Sequence, residues 1–219
     1  MDPPQSPTSS GGADPWSGNI DTTATIRAAE VGSDDARIVR AVLSGDRDAY
    51  RALVDRESAA VIRACHRILG DLGEAEDVAQ EAFVIAYRSL GSWRADGPFG
   101  AWLSRIAVRL ALRQAGRRRN VQWATPGTAA DDDDPVASLR SDWRVDPEGL
   151  AIRGERQRVV RRAVADLDEP YREVVALRFF AERSLDEIAA LTGRPLGTVK
   201  THLHRGLLRL RGAMGEDAR

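Results

Sequence analysis

Apolar positions recur at helical spacing along most of this chain, and nowhere do they settle into the strict alternation of a half-buried strand. The spacing predicts a short helix over 35–42, a longer one over 46–69, a third over 73–90 and a fourth over 99–118. Tyr50, Leu53, Val54, Val61, Cys65 and Ile68 form the apolar stripe of the second helix. Val78, Ala82, Ile85, Ala86 and Leu90 do so in the third, and Leu103, Ile106, Ala107 and Leu110 in the fourth. These stripes can share one core. Two more helices are expected over 150–165 and 170–180, followed by a helix, a tight turn and a further helix over 184–211. The fold class is therefore all-α, with two small helical domains over 34–119 and 150–213.

The breaks between these elements have their own chemistry. Residues 1–33 are rich in Pro, Ser, Gly, Thr and Asp and carry little apolar periodicity, so they bury too little surface to offset ordering and read as a disordered tail. Residues 120–149 are acidic, aperiodic and punctuated by Pro and Gly, which reads as a flexible linker between the domains. Residues 214–219 form a short C-terminal tail.

The segment 184–211 carries the sharpest local signals. Ser184 and Glu187 make a capping box, in which each side chain satisfies the other's free backbone amide at a helix start. Leu185, Ile188, Ala189 and Leu191 give that helix an apolar face. Gly193 suits a left-handed helix end and Pro195 the opening turn of the next helix. Val199, Leu203, Leu207 and Leu210 should then be buried, leaving Lys200, Thr201, His204 and Arg205 for other faces. This is the pattern of a DNA-reading helix-turn-helix. A helical hairpin with a solvated basic face is the alternative.

Net charge is only −1, so any nucleic-acid surface must come from segregated charge. Residues 105–119 hold six arginines and no acid, whereas residues 131–134 are four aspartates. Arg105, Arg109, Arg113 and Arg117 recur every four residues, a ridge that either tracks phosphates or is solvated. Just before it, Trp93, Phe99 and Trp102 stand among Gly91, Gly97 and Gly100. Aromatics beside arginines suit single-stranded bases. Trp102 is assigned to the core, and Trp93 and Arg94 to loop contacts. A third surface is acidic: Glu74, Asp77 and Glu81, with Gln80 beside them, share a helix face that is either solvated or docks a basic protein.

Several chemistries find no support. Cys65 is the only cysteine, which excludes an internal disulfide and a multi-cysteine zinc site and fits a reducing cytoplasm. His202 and His204 point to different faces of one helix, and the aspartate run 131–134 lacks further ligands. No catalytic residue, metal or cofactor is expected. No apolar run approaches membrane-spanning length, and the N-terminus has neither the basic lead nor the apolar stretch of a secretory signal.

The ordered set of EDVAQEAF, the aromatic loop, AWLSRIAVRLALRQAGRRR, an acidic linker and LDEPYREVVALRFFAERSLDEIAALTGRPLGTVKTHLHRGLLRLR resembles a bacterial RNA polymerase sigma factor of the extracytoplasmic-function (ECF) group. The resemblance spans residues 34–211 and implies sigma regions 2 and 4 without the intervening domain of primary sigma factors. It implies that Asp77, Gln80 and Glu81 contact the clamp coiled coil of core RNA polymerase, with the flap as a second polymerase contact. The loop 92–98, with Ser92, Trp93, Arg94 and Asp96, would capture a flipped base of the −10 element. Arg105, Arg109 and Arg113 would lie on adjacent promoter DNA. Thr198, Lys200, Thr201, His204 and Arg205 would read the −35 element. Gly206 stands where many relatives have alanine. The resemblance further implies an anti-sigma protein as partner, which can hold the chain at a membrane without insertion of its own. The competing readings are a helix-turn-helix regulator with no polymerase role and a DNA-acting enzyme; the latter needs a nucleophile or metal site that the residues do not supply.

Overall fold

A computed structural model describes residues 34–124 and 147–216 of the chain. The tail over 1–33 and the linker from 125 to 146 lie outside the described residues. Within them the elements are α1 (34–43), α2 (Arg47–Leu69), α3 (Leu72–Arg88), a 3-10 turn (Leu90–Ser92), α4 (Phe99–Ala124), α5 (Pro147–Ala165), α6 (Tyr171–Phe179), α7 (Leu185–Thr192) and α8 (Leu196–Glu216). No strand occurs among the described residues. The helices claim both ends of the stretch 120–149 read as linker, and α5 opens on Pro147, whose fixed φ and missing N–H suit a first helical position.

Local chemistry sets the helix ends. Asp46 caps α2 by accepting from the amides of Asp48 and Ala49, both at 3.1 Å, and Gly70 ends it at φ 81°. Asp71 caps α3 through the Glu74 amide at 2.7 Å. α2, α3 and α4 then pack on one another. Leu53, Val61 and Cys65 meet a small-residue face of Ala75, Ala79, Ala82 and Ala86, which lets the helices approach closely, and Leu103, Ala107, Val108 and Ala111 of α4 close the core. At its edge Tyr50 donates to the Phe83 carbonyl at 2.7 Å, and burial together with Tyr87 pushes its phenol up to about 12.

The C-terminal helices surround α6, whose Val174, Val175, Ala176 and Leu177 are all buried. A continuous apolar run fits a short helix covered on several sides, here by α4, α5, α7 and α8. Gly206 of α8 crosses so near α6 that a Cβ there would lie 2.7 Å from Val175 Cγ2. The two helical groups are not independent bodies. Arg67 at the end of α2 donates to the Phe180 carbonyl at 3.0 Å and pairs with Glu182 at 2.7 Å.

Candidate nucleic-acid and polymerase interfaces

The helix-turn-helix is built as its residues dictate. Ser184 accepts from the Glu187 amide at 3.1 Å while Glu187 accepts from the Ser184 amide at 2.8 Å. Gly193 ends α7 at φ 66°, and the Pro195 carbonyl receives the amides of Thr198 and Val199 at 2.9 and 3.1 Å. Ile188, Val199, Leu203 and Leu210 are buried, and Leu207 is half-buried. On the opposite side of α8, Lys200, Thr201, His204 and Arg205 are exposed together, with Thr198 half-buried at the first turn. His202 lies apart from His204: its ring meets Tyr171 edge-on at 5.7 Å, and burial, then Arg194 and Arg205, lower its basicity. Arg209 also turns away, stacking over Tyr171 at 4.3 Å and pairing with Asp168 at 3.0 Å.

The 92–98 loop is anchored at its start. Ser92 donates its hydroxyl to the Ser89 carbonyl at 2.7 Å and the Trp93 amide reaches the Leu90 carbonyl at 3.1 Å. Arg94, Ala95 and Asp96 are exposed, with Ala95 in the left-handed region at φ 59°. Trp93 is half-buried and packs edge-on against the core residue Phe99 at 6.2 Å, so it is less free than a loop contact at the sequence level implies. Trp102 packs on Phe99 at 5.6 Å but is itself half-buried, at the edge of the core to which the sequence assigned it rather than within it. A cleft of about 910 Å³ separates the loop, Trp102 and Arg105 from Asp186, Leu191 and Gly193 of the helix-turn-helix.

The arginine ridge is divided. Arg105 Nε and Arg109 Nε each lie 2.9 Å from Glu173 Oε1, and Arg194 reaches Oε2 at 3.2 Å. Arg105 also donates to the Leu191 carbonyl. Burial alone would raise the Glu173 pKa, but Arg105, with Arg109 and Arg194, outweighs it and holds the carboxyl below its ordinary value. Arg113 and Arg117, further along α4, are exposed. The sequence reading missed Glu173, although its place beside the apolar run 174–177 of a buried helix was a usable signal.

On α3, Asp77, Gln80 and Glu81 are exposed on one face, which continues into Val84 and Tyr87. Glu74 belongs elsewhere: it pairs with Arg118 of α4 at 3.1 Å.

The structure thus presents an exposed polar face on the second helix of a helix-turn-helix, packed against a second helical unit with its own aromatic and cationic residues. Residues 53–121 match the family described as Sigma-70 region 2, and residues 157–210 match Sigma-70, region 4. The chain is similar to the ECF RNA polymerase sigma factor SigW of Bacillus subtilis (strain 168), 33% identical over 173 residues that cover 79% of this chain and 92% of the relative. It is likewise similar to the ECF RNA polymerase sigma-E factor of Escherichia coli (strain K12), 34% identical over 173 residues covering 78% and 89% of the two chains. A solved structure of CnrH in complex with the cytosolic domain of CnrY shares the fold at a TM-score of 0.54 and 23% identity, covering 84% of this chain and 98% of that one. The chain belongs to the ECF group of RNA polymerase sigma factors.

Proposed function

We propose that this sigma factor divides its task among three surfaces. Lys200, Thr201, His204 and Arg205, with Thr198, read the −35 element in the major groove. Ser92, Trp93, Arg94 and Asp96 capture an unstacked base of the −10 element, with Arg105, Arg109 and Arg113 on the neighbouring phosphates. Asp77, Gln80 and Glu81 dock on the clamp coiled coil of core RNA polymerase. Phosphodiester chemistry belongs to the polymerase, and the sigma factor supplies promoter choice and strand opening.

The observation that carries this reading is the joint exposure of Lys200, Thr201, His204 and Arg205 on α8, opposite the buried Val199 and Leu203. The α3 face and the aromatic loop favour a polymerase subunit over a simple duplex-binding regulator, which needs neither. No helix among the described residues is long and apolar enough to cross a membrane, and the reading places the chain in the cytoplasm with an anti-sigma protein as its third partner. Reconstitution with core RNA polymerase on a library of promoter fragments tests it. Start-site-specific transcription is expected; duplex binding with no effect on the polymerase would favour the regulator instead.

A further inference from the structure

Asp35, near the start of α1, is 0% exposed, and none of the three surfaces above includes it. Its two oxygens are divided. Oδ1 receives Arg56 Nη2 at 2.5 Å, and Oδ2 receives the backbone N–H of Phe99 at 2.7 Å. Phe99 is the first residue of α4 and the point at which the 92–98 loop ends. Its amide is one of those at a helix start that have no partner within the helix. Pro98 supplies a carbonyl to the amides of Ala101 and Trp102, at 3.0 and 3.4 Å, but it has no side-chain acceptor. The acceptor for Phe99 comes instead from 64 residues away in the chain.

The carboxylate is braced in turn. Arg56 pairs with Glu57 at 2.8 Å, and Glu57 lies so close to Gly100 that a Cβ there would collide with it. Burial would make the Arg56 guanidinium less basic, but its hydrogen bonds to Asp35 and Glu57 outweigh this and keep it charged. Two carboxylates bridged by one guanidinium thus sit at the N-terminus of α4, where the helix dipole favours negative charge.

We propose that Asp35 is a positioning residue for promoter opening: it caps α4 from a distant helix and so fixes the downstream anchor of the 92–98 loop. The upstream anchor is the 3-10 turn, and Trp93 spans the two by resting on Phe99. A loop held at both ends has already lost the freedom that base capture would otherwise cost it. The proposal rests on the reading of this loop as the strand-opening element, and its test separates the two.

Holoenzyme carrying Asp35→Ala, Asp35→Asn, Trp93→Ala or Arg94→Ala is assayed on a promoter that the wild-type holoenzyme has selected from a randomised library, with 2-aminopurine in its −10 element. Opening rate is read from fluorescence, and affinity for core polymerase is measured in parallel. Asp35→Asn keeps an oxygen for the Phe99 amide but turns an NH2 group toward Arg56, so it should open more slowly than wild type and clearly faster than Asp35→Ala. Asp35→Ala should open about fivefold more slowly, the factor expected for losing an ordinary N-cap, with core affinity unchanged. Normal opening by Asp35→Ala beside slow opening by Trp93→Ala or Arg94→Ala overturns the role of Asp35 alone. Normal opening by both Trp93→Ala and Arg94→Ala overturns the loop reading. Equal defects in Asp35→Ala and Asp35→Asn, or a defect that tracks lost core affinity, make Asp35 a general stabiliser and overturn the proposal.

Discussion

The Nε of Arg105 lies 2.9 Å from the carboxylate of Glu173, so a residue from the cationic ridge of α4 is held by a residue from the core of the helix-turn-helix unit. Arg109 and Arg194 converge on the same carboxylate. In this arrangement two of the arginines proposed to lie on promoter DNA are ion-paired within the chain. Removing one partner from a buried charge cluster leaves the rest uncompensated, at a cost of about 3 kcal/mol at most here, because Arg109 remains 55% exposed. Glu173→Ala should therefore loosen the contact between the two helical groups, read as a lengthened distance between fluorophores placed on α3 and α8. An unchanged distance would show that the remaining contacts, Arg67 with Phe180 and Glu182 among them, hold the two groups without Glu173.

The same cluster has a pH dependence of definite sign. The Glu173 carboxyl is held below its ordinary value in the folded chain, so its contribution is fully present above the unfolded value of about 4.3 and is lost as pH falls through the folded one. Acid titration of that distance should show a transition below about pH 4.3 in wild type that Glu173→Gln lacks.

Cys65 is 0% exposed, and burial pushes its thiol up to about 12. A thiol reagent should label it only on unfolding. Because the unfolded thiol ionises near about 8.5 while the folded one stays protonated, stability should fall as pH rises above that value. Rapid labelling under native conditions would contradict the burial.

Gly206→Ala would set a methyl group 2.7 Å from Val175 Cγ2 in a packed helix crossing. Overpacking of this kind costs about 1 to 3 kcal/mol, against a gain in helix propensity of about 1 kcal/mol. A lowered melting temperature is expected. A raised one would mean that α6 and α8 move apart freely.

The contrast between Glu74 and its neighbours tests the docking face. Asp77→Ala with Glu81→Ala should weaken affinity for core polymerase in the full chain, as rim and dock charges steer and orient a partner. Glu74→Ala should leave that affinity within about twofold, since Glu74 is half-buried and turned toward Arg118 of α4 rather than onto the face of Asp77 and Glu81. Equal loss in both variants would remove the distinction.

Local chemistry was legible in the sequence and long-range pairing was not. Ser184, Glu187, Gly193 and Pro195 act on amides within a few residues of themselves, so the turn and the outward face of α8 could be read directly. The apolar stripes likewise named Leu53, Val61, Val78 and Leu103 for the core. Glu173 and Asp35 escaped because their partners are 68 and 64 residues away, where spacing carries no information. Arg209 shows the same limit in reverse: it belongs to the basic block of α8, yet Tyr171 and Asp168 claim it.

The central claim is that two surfaces of one chain act on two promoter elements while a third holds the polymerase. Its most direct measurement is transcription by reconstituted holoenzyme from a library randomised at both elements, with start sites mapped. Wild type should select both elements at fixed spacing, Arg205→Ala should relax the −35 preference alone by about 1 to 3 kcal/mol, and Arg94→Ala should relax the −10 preference alone. Absence of start-site selection, or loss of both preferences together in either variant, would contradict the account.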